Sequence, residues 1–264
     1  MTDCKNCATA FEGNYCPECG QKASTKRFST KILFSELIDK LLPIDRGILY
    51  SSWLMLTRPG STIRDYLNGK RAKLTKPFQF LLIMVAISLI FFSKEDFSKG
   101  MQAGMQVTSS DPEKARSTAA QAFSQQWMQW ISDNMTALIV GIIPFMALVA
   151  RWFFRKRDLN LAEHVVVGCY LVGGSTLAGL PIMLAFRLMG KNAYSPEMSG
   201  FFGLIYVAFC AWGYISLFKE YKAWNTGFKA LLVVILGYFL YILVMMIVLF
   251  AFVMVYIGFF EKGQ

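Results

Sequence analysis

Charge is scarce in this sequence. Asp, Glu, Lys and Arg make up 17% of 264 residues, against about a quarter in an ordinary soluble domain, and the mean hydropathy is +0.42. That deficit excludes a disordered chain and a water-soluble enzyme of the usual kind. Acids are scarcest in the long apolar runs, none of which carries an Asp or Glu in its middle. An intramembrane carboxylate is the usual mark of proton or ion coupling, and here it is missing. Histidine is nearly absent too: the single one, His164, stands beside Glu163 at the mouth of an apolar run. The two could act as an acid–base pair. With no second metal ligand and no nucleophile to name, the structural reading is preferred and no catalytic residue is expected. No secretory signal precedes the N-terminal cysteines either.

What is abundant is apolar length. Five runs are long enough to cross a bilayer, at 77–93, 135–154, 165–186, 200–218 and 230–260, since a span needs roughly 17–25 apolar residues. The first is short, so Lys76 and Lys94 would snorkel, and the last is long enough to tilt. Arg151 and Arg187, near span ends, read the same way. Of 27 Lys and Arg, 20 fall on the side that holds the N-terminus, 151–164 and 219–229; acids divide ten and seven. One side is therefore net +10 and the other net zero. The positive-inside rule then places the N-terminus in the cytoplasm and the C-terminus outside. The fold class expected is an all-α membrane protein of about five transmembrane helices. Its parts are a ribbon at 1–27, a juxtamembrane region at 28–76 and a bundle at 77–264 with an extracytoplasmic helical loop at 94–134.

Six cysteines fall into two groups. Cys169 and Cys210 lie inside apolar runs and read as small buried hydrophobes. Cys4, Cys7, Cys16 and Cys19 read C-x2-C-x8-C-x2-C, two hairpin knuckles that each offer a pair of thiolates, the tetrahedral sulfur shell that structural Zn2+ prefers. Two disulfides would need an oxidising compartment, and a redox CxxC would need a βαβ context. About twenty residues cannot bury a core, so the metal would supply the folding energy.

Between ribbon and bundle, a helical pattern opened by Ser29 or Thr30 places Leu33, Phe34, Leu37, Ile38, Leu41 and Leu42 on one face. A second amphipathic run, 48–56, carries Tyr50 and Trp53. Both are expected in the cytoplasmic interface or packed under the bundle, with a small soluble helical subdomain as the alternative. Beyond the first span, Asp111-Pro112 starts a helix expected to reach Trp127 and Trp130, an aromatic belt. The stretch 58–76 holds Arg58, Arg64, Lys70, Arg71, Lys73 and Lys76 against Asp65 alone. Gly69 frees the chain so that Arg64, Lys70 and Arg71 are expected to meet phosphate headgroups or an anionic partner. The third run is rich in small residues, Gly168, Gly173, Gly174, Ser175, Thr176 and Gly179, with Pro181. These permit close helix packing or a binding pathway.

The segments CKNC, GNYCPECGQ and RPGSTIRDYLNGKRAKLTKPFQFLL, the last from Arg58 to Leu82, together resemble a family of bacterial zinc-ribbon membrane proteins of unknown function. Ala8 stands where such knuckles often place glycine. The resemblance implies a ribbon fused to several membrane helices in the bacterial inner membrane, and no activity.

Two readings follow. In the first, a non-enzymatic membrane module carries a zinc-ribbon docking platform and an anionic-lipid collar, with a homo-oligomer or a protein held through the ribbon. Nucleic acid is disfavoured because the basic excess is juxtamembrane. In the second, a transporter, channel or lipid-handling protein runs its pathway along the third span.

Overall fold

The structure, a computed structural model, describes residues 2–24, 47–90, 126–127, 129–190 and 196–261, with backbone alone at 196–199 and 251–261. The helix expected at 29–42, the start of the one expected from Asp111 and most of the 94–134 loop lie outside the described residues; at the end of the second, Trp127 and Trp130 are helical with their rings stacked 5.1 Å apart. The ribbon comprises strands β1 (Thr2–Asp3) and β2 (Ala10–Phe11), paired antiparallel with Thr2 opposite Phe11. A second hairpin is pinned by a bridge between Tyr15 and Lys22.

Seven helices follow among the described residues: α1 (Ile48–Thr57), α2 (Pro59–Leu67), α3 (Pro77–Ile90), α4 (Met135–Phe153), α5 (Leu161–Leu188), α6 (Pro196–Leu217) and α7 (Ala223–Glu261). Four of them, α4 to α7, are long and apolar enough to cross a membrane. The run expected at 77–93 is described as the 14-residue α3, about 21 Å at 1.5 Å per residue, less than the ~30 Å hydrocarbon core. The 39 residues of α7 exceed that core about twofold, so one or both of its ends project from it.

Helix α5 is the hub. Of its most apolar window, 61% is buried, against 17–33% in the other three long helices; it touches α1, α2, α3, α4 and α6. A capping box opens it, with Asn160 N–H donating to Glu163 Oε2 (2.8 Å) and Glu163 N–H donating to Asn160 Oδ1 (2.9 Å). That box satisfies two helix-end donors, so α5 begins at Leu161, four residues before the run of apolar residues suggests. Pro181 does not break it. The outward faces of α6 and α7 expose Leu204, Ile235, Phe239, Met246 and Phe250, the surface of a lipid-facing helix rather than of a soluble one.

The short helices are built into one end of this bundle. Gly60 on α2 lies against the backbone of Ser216 and Leu217 so closely that no Cβ fits, and its N–H donates to Ser216 Oγ at 2.9 Å. The segment after α2 is held by Thr75, which is buried; its N–H donates to Ser51 Oγ (2.8 Å), and its carbonyl accepts from Tyr170 Oη (2.5 Å). Of the two placements expected for 48–56, packing under the bundle is what Ser51, Leu54 and Met55 do, all buried, while Leu49, Tyr50 and Trp53 remain exposed.

Candidate metal centre

Each knuckle is a repeat of one turn. Cys4 N–H donates to Thr9 O and Ala8 N–H to Cys4 O; Cys16 N–H donates to Gln21 O and Gly20 N–H to Cys16 O, all at 2.8–3.0 Å. The residue after each second cysteine turns into the left-handed region, Ala8 at φ 62° and Gly20 at φ 70°. Glycine does this freely, whereas alanine is strained there by roughly 1–2 kcal/mol.

The turns bring all four sulfurs within 4.8 Å of one another. Cys4 and Cys19 stand 3.5 Å apart and Cys7 and Cys16 3.6 Å. All four are free thiols, and a disulfide would need about 2.05 Å. A tetrahedron with metal–sulfur bonds of about 2.3 Å has edges near 3.8 Å, so the donor set fits a four-coordinate thiophilic ion with no open position. Hydrogen bonds from the Thr9 hydroxyl and amide to the thiolate pull Cys7 down to about 6, while burial pushes Cys16 up to about 11. Packed thiolates repel, so the cluster ionises fully only against a cation.

A buried side chain of the ribbon clasps it to the segment after α2. Gln21 is buried; its Nε2 donates to Gly69 O at 3.1 Å, and its Oε1 accepts from Arg71 N–H at 3.2 Å. Beside this clasp, a cleft of about 540 Å3 brings Glu18 and Lys73, one charge of each sign, together with Cys7, Thr9, Cys19 and Tyr50.

The basic residues of 58–76 each have their own partners or exposure. Arg64 donates through Nη2 to the carbonyl of Leu217 and, at 3.5 Å, to that of Ser216, where a cation suits the negative end of α6. Lys70 pairs with Asp65 at 3.1 Å. Arg71 lies over the Tyr66 ring, 5.2 Å from its centroid, and donates through Nε to Tyr66 O. Arg58 and Lys73 are exposed. Gly69, at φ 99°, closes α2 as its carbonyl cap instead of freeing the chain.

The small residues of α5 divide into two sets. A Cβ on Gly173 would meet the Phe80 ring at 2.9 Å and Leu81 Cα at 3.2 Å; one on Gly174 would meet Phe209 at 2.7 Å and Met55 at 3.1 Å. Ser175, Thr176 and Gly179 instead border a cavity of about 810 Å3 shared with Tyr206, Phe202 and Tyr238. The Ser175 and Thr176 hydroxyls donate to Val172 O, at 2.8 and 2.9 Å, so they add little polarity to its apolar lining. Glu163 serves the capping box. His164 is fully buried, and neither ring nitrogen has a hydrogen-bond partner.

One feature was missed in the sequence. Arg157, in the turn Arg155–Arg157, lies over the rings of Tyr221 (3.3 Å), Phe218 (4.6 Å) and Phe154 (5.5 Å), and burial pulls its guanidinium below the ordinary value. Only the aromatic–basic pairing in FFRKR and LFKEY hints at it, across some sixty residues.

A family described as "Protein of unknown function (DUF3667)" matches residues 45–89, the stretch that forms α1, α2, α3 and the segment clasped by Gln21. No curated protein and no solved structure matches the chain.

Proposed function

We propose that the protein is a non-enzymatic integral membrane protein whose N-terminal knuckles hold one structural Zn2+ and form a docking platform on the cytoplasmic end of the bundle. The observation that carries this reading is the Gln21 clasp. A ribbon used only as a stable terminus needs no buried amide fixing it to the base of the membrane helices. A platform does, because its orientation must be set before a partner arrives. A closed four-thiolate shell suits this role, since it leaves no coordination position for catalysis. The exposed cations Arg58 and Lys73 add attraction for anionic headgroups, and Arg64, Lys70 and Arg71 serve chiefly to hold the base together. In this reading the chain lies in a bacterial inner membrane, and α3 with the residues after it completes a fifth span. A reporter fused after residue 264 is then active outside the cytoplasm; activity only inside contradicts that topology.

Tyr15 is 62% exposed on the second hairpin, which makes it a suitable position for a photo-crosslinking amino acid in living cells. The expected result is a discrete adduct with a protein that has a cytoplasmic face, lost when Cys16→Ser and Cys19→Ser dismantle the ribbon. No adduct from a ribbon that retains its zinc overturns the platform reading.

The cavity at Ser175, Thr176 and Gly179 supports a second reading, lipid handling. Its volume and apolar walls suit an acyl chain. Filling it with Gly179→Phe would then abolish a lipid-dependent activity without releasing zinc; an unaltered activity removes this reading.

A further inference from the structure

The turn between α4 and α5 forms a second basic surface, separate from 58–76. Two adjoining clefts, of about 350 and 300 Å3, meet at Trp152 and Arg155. Arg151 lines the first, and Lys156, Arg157 and Lys229 line the second. No acidic side chain lines either. Five cations thus converge at the end of one long helix and the start of another.

Two further observations mark this as a place for an anion. Arg157 Nη1 is buried with no hydrogen-bond acceptor, and an unsatisfied guanidinium N–H in a cleft of like charges is costly until an acceptor oxygen arrives. Asp158 follows directly, but its backbone turns left-handed at φ 51°, and its carboxylate does not line the clefts. Apolar residues set the depth: Trp152 (66% exposed) and Leu148 (49% exposed) stand one turn apart on α4, with Leu148 towards the middle of the helix. Tryptophan favours the headgroup level of a bilayer, with aliphatic residues below it.

We infer that these clefts bind the phosphate headgroup of an anionic phospholipid, with Arg155, Lys156, Arg157 and Lys229 meeting the phosphate and Leu148 and Trp152 lying against its acyl chains. The inference rests on the membrane-spanning reading of α4 and α5 and not on the ribbon as a platform. The Arg157 cage joins this turn to the α6–α7 connection, so an occupied cleft would also brace the end of the bundle that carries the ribbon.

Native mass spectrometry of the full-length protein in detergent tests it with an equal mixture of phosphatidylglycerol and phosphatidylcholine. The parent should retain phosphatidylglycerol over phosphatidylcholine by at least about tenfold, and the triple variant Arg155→Gln, Lys156→Gln, Lys229→Gln should lose most of that preference. A control variant, Arg58→Gln with Lys73→Gln, should lose markedly less of it than the triple variant does. Should the triple variant fail to remain monodisperse, Lys229→Gln alone should show a smaller loss, one that shrinks as salt screens the parent's own preference. Equal preference in parent and cleft variants, or loss only in the control, overturns the inference; loss only in the control would leave the headgroup role with 58–76. Displacement of the lipid by millimolar inorganic phosphate also overturns it, by assigning the clefts to a soluble phosphate.

Discussion

Ala8 and Gly20 occupy equivalent positions in the two knuckles, and both adopt a left-handed backbone. The alanine carries a strain that the glycine does not. Ala8→Gly should therefore stabilise the ribbon by on the order of 1 kcal/mol, seen as roughly fivefold slower zinc loss to a chelator. An unchanged rate would mean that the first knuckle is not strained in this way. The four ligands, and the departure at Ala8, are legible from spacing, because a metal shell is specified locally by residue type and short loops. Gln21 is not legible. It is an ordinary polar residue after Gly20, and its partners, Gly69 and Arg71, lie some fifty positions away. The same limit applies to Arg64, whose charge reads as surface until the end of α6 is placed against it, and to Arg157, whose three rings come from both flanking connections.

At the level of elements, the periodicity and length of the apolar runs locate α4 to α7 to within a few residues at most ends. At the start of α5 the difference is a capping effect, set by Asn160. The glycine-rich face of α5 is also visible in sequence, but its division is not, since close packing at Gly173 and Gly174 depends on Phe80, Phe209 and Met55 from three other helices. The two halves should respond differently to the same substitution. Gly174→Leu forces a side chain into Phe209 and should destabilise the protein by about 1–3 kcal/mol or more, read as a lower melting temperature in detergent. Gly179 meets only Phe202, at 3.5 Å, and borders the cavity, so Gly179→Leu should leave the melting temperature nearly unchanged. Equal losses at both positions would contradict the division.

For the whole molecule, composition points to helices long and apolar enough to cross a membrane, and the balance of charge supplies the orientation proposed above, because both are sums over many residues. The joining of ribbon to bundle is a property of single side chains: a buried amide at Gln21, a glycine at Gly60 and a buried Thr75 tie the metal knuckles, the 45–89 segment and α5 into one end of the protein. In the proposed reading, a metal held by the four cysteines organises that end. Its most direct test is elemental analysis of the purified full-length protein beside a Cys16→Ser, Cys19→Ser variant. One zinc per chain in the parent and essentially none in the variant is the predicted result; equal zinc in both, or none in the parent as isolated, would contradict it.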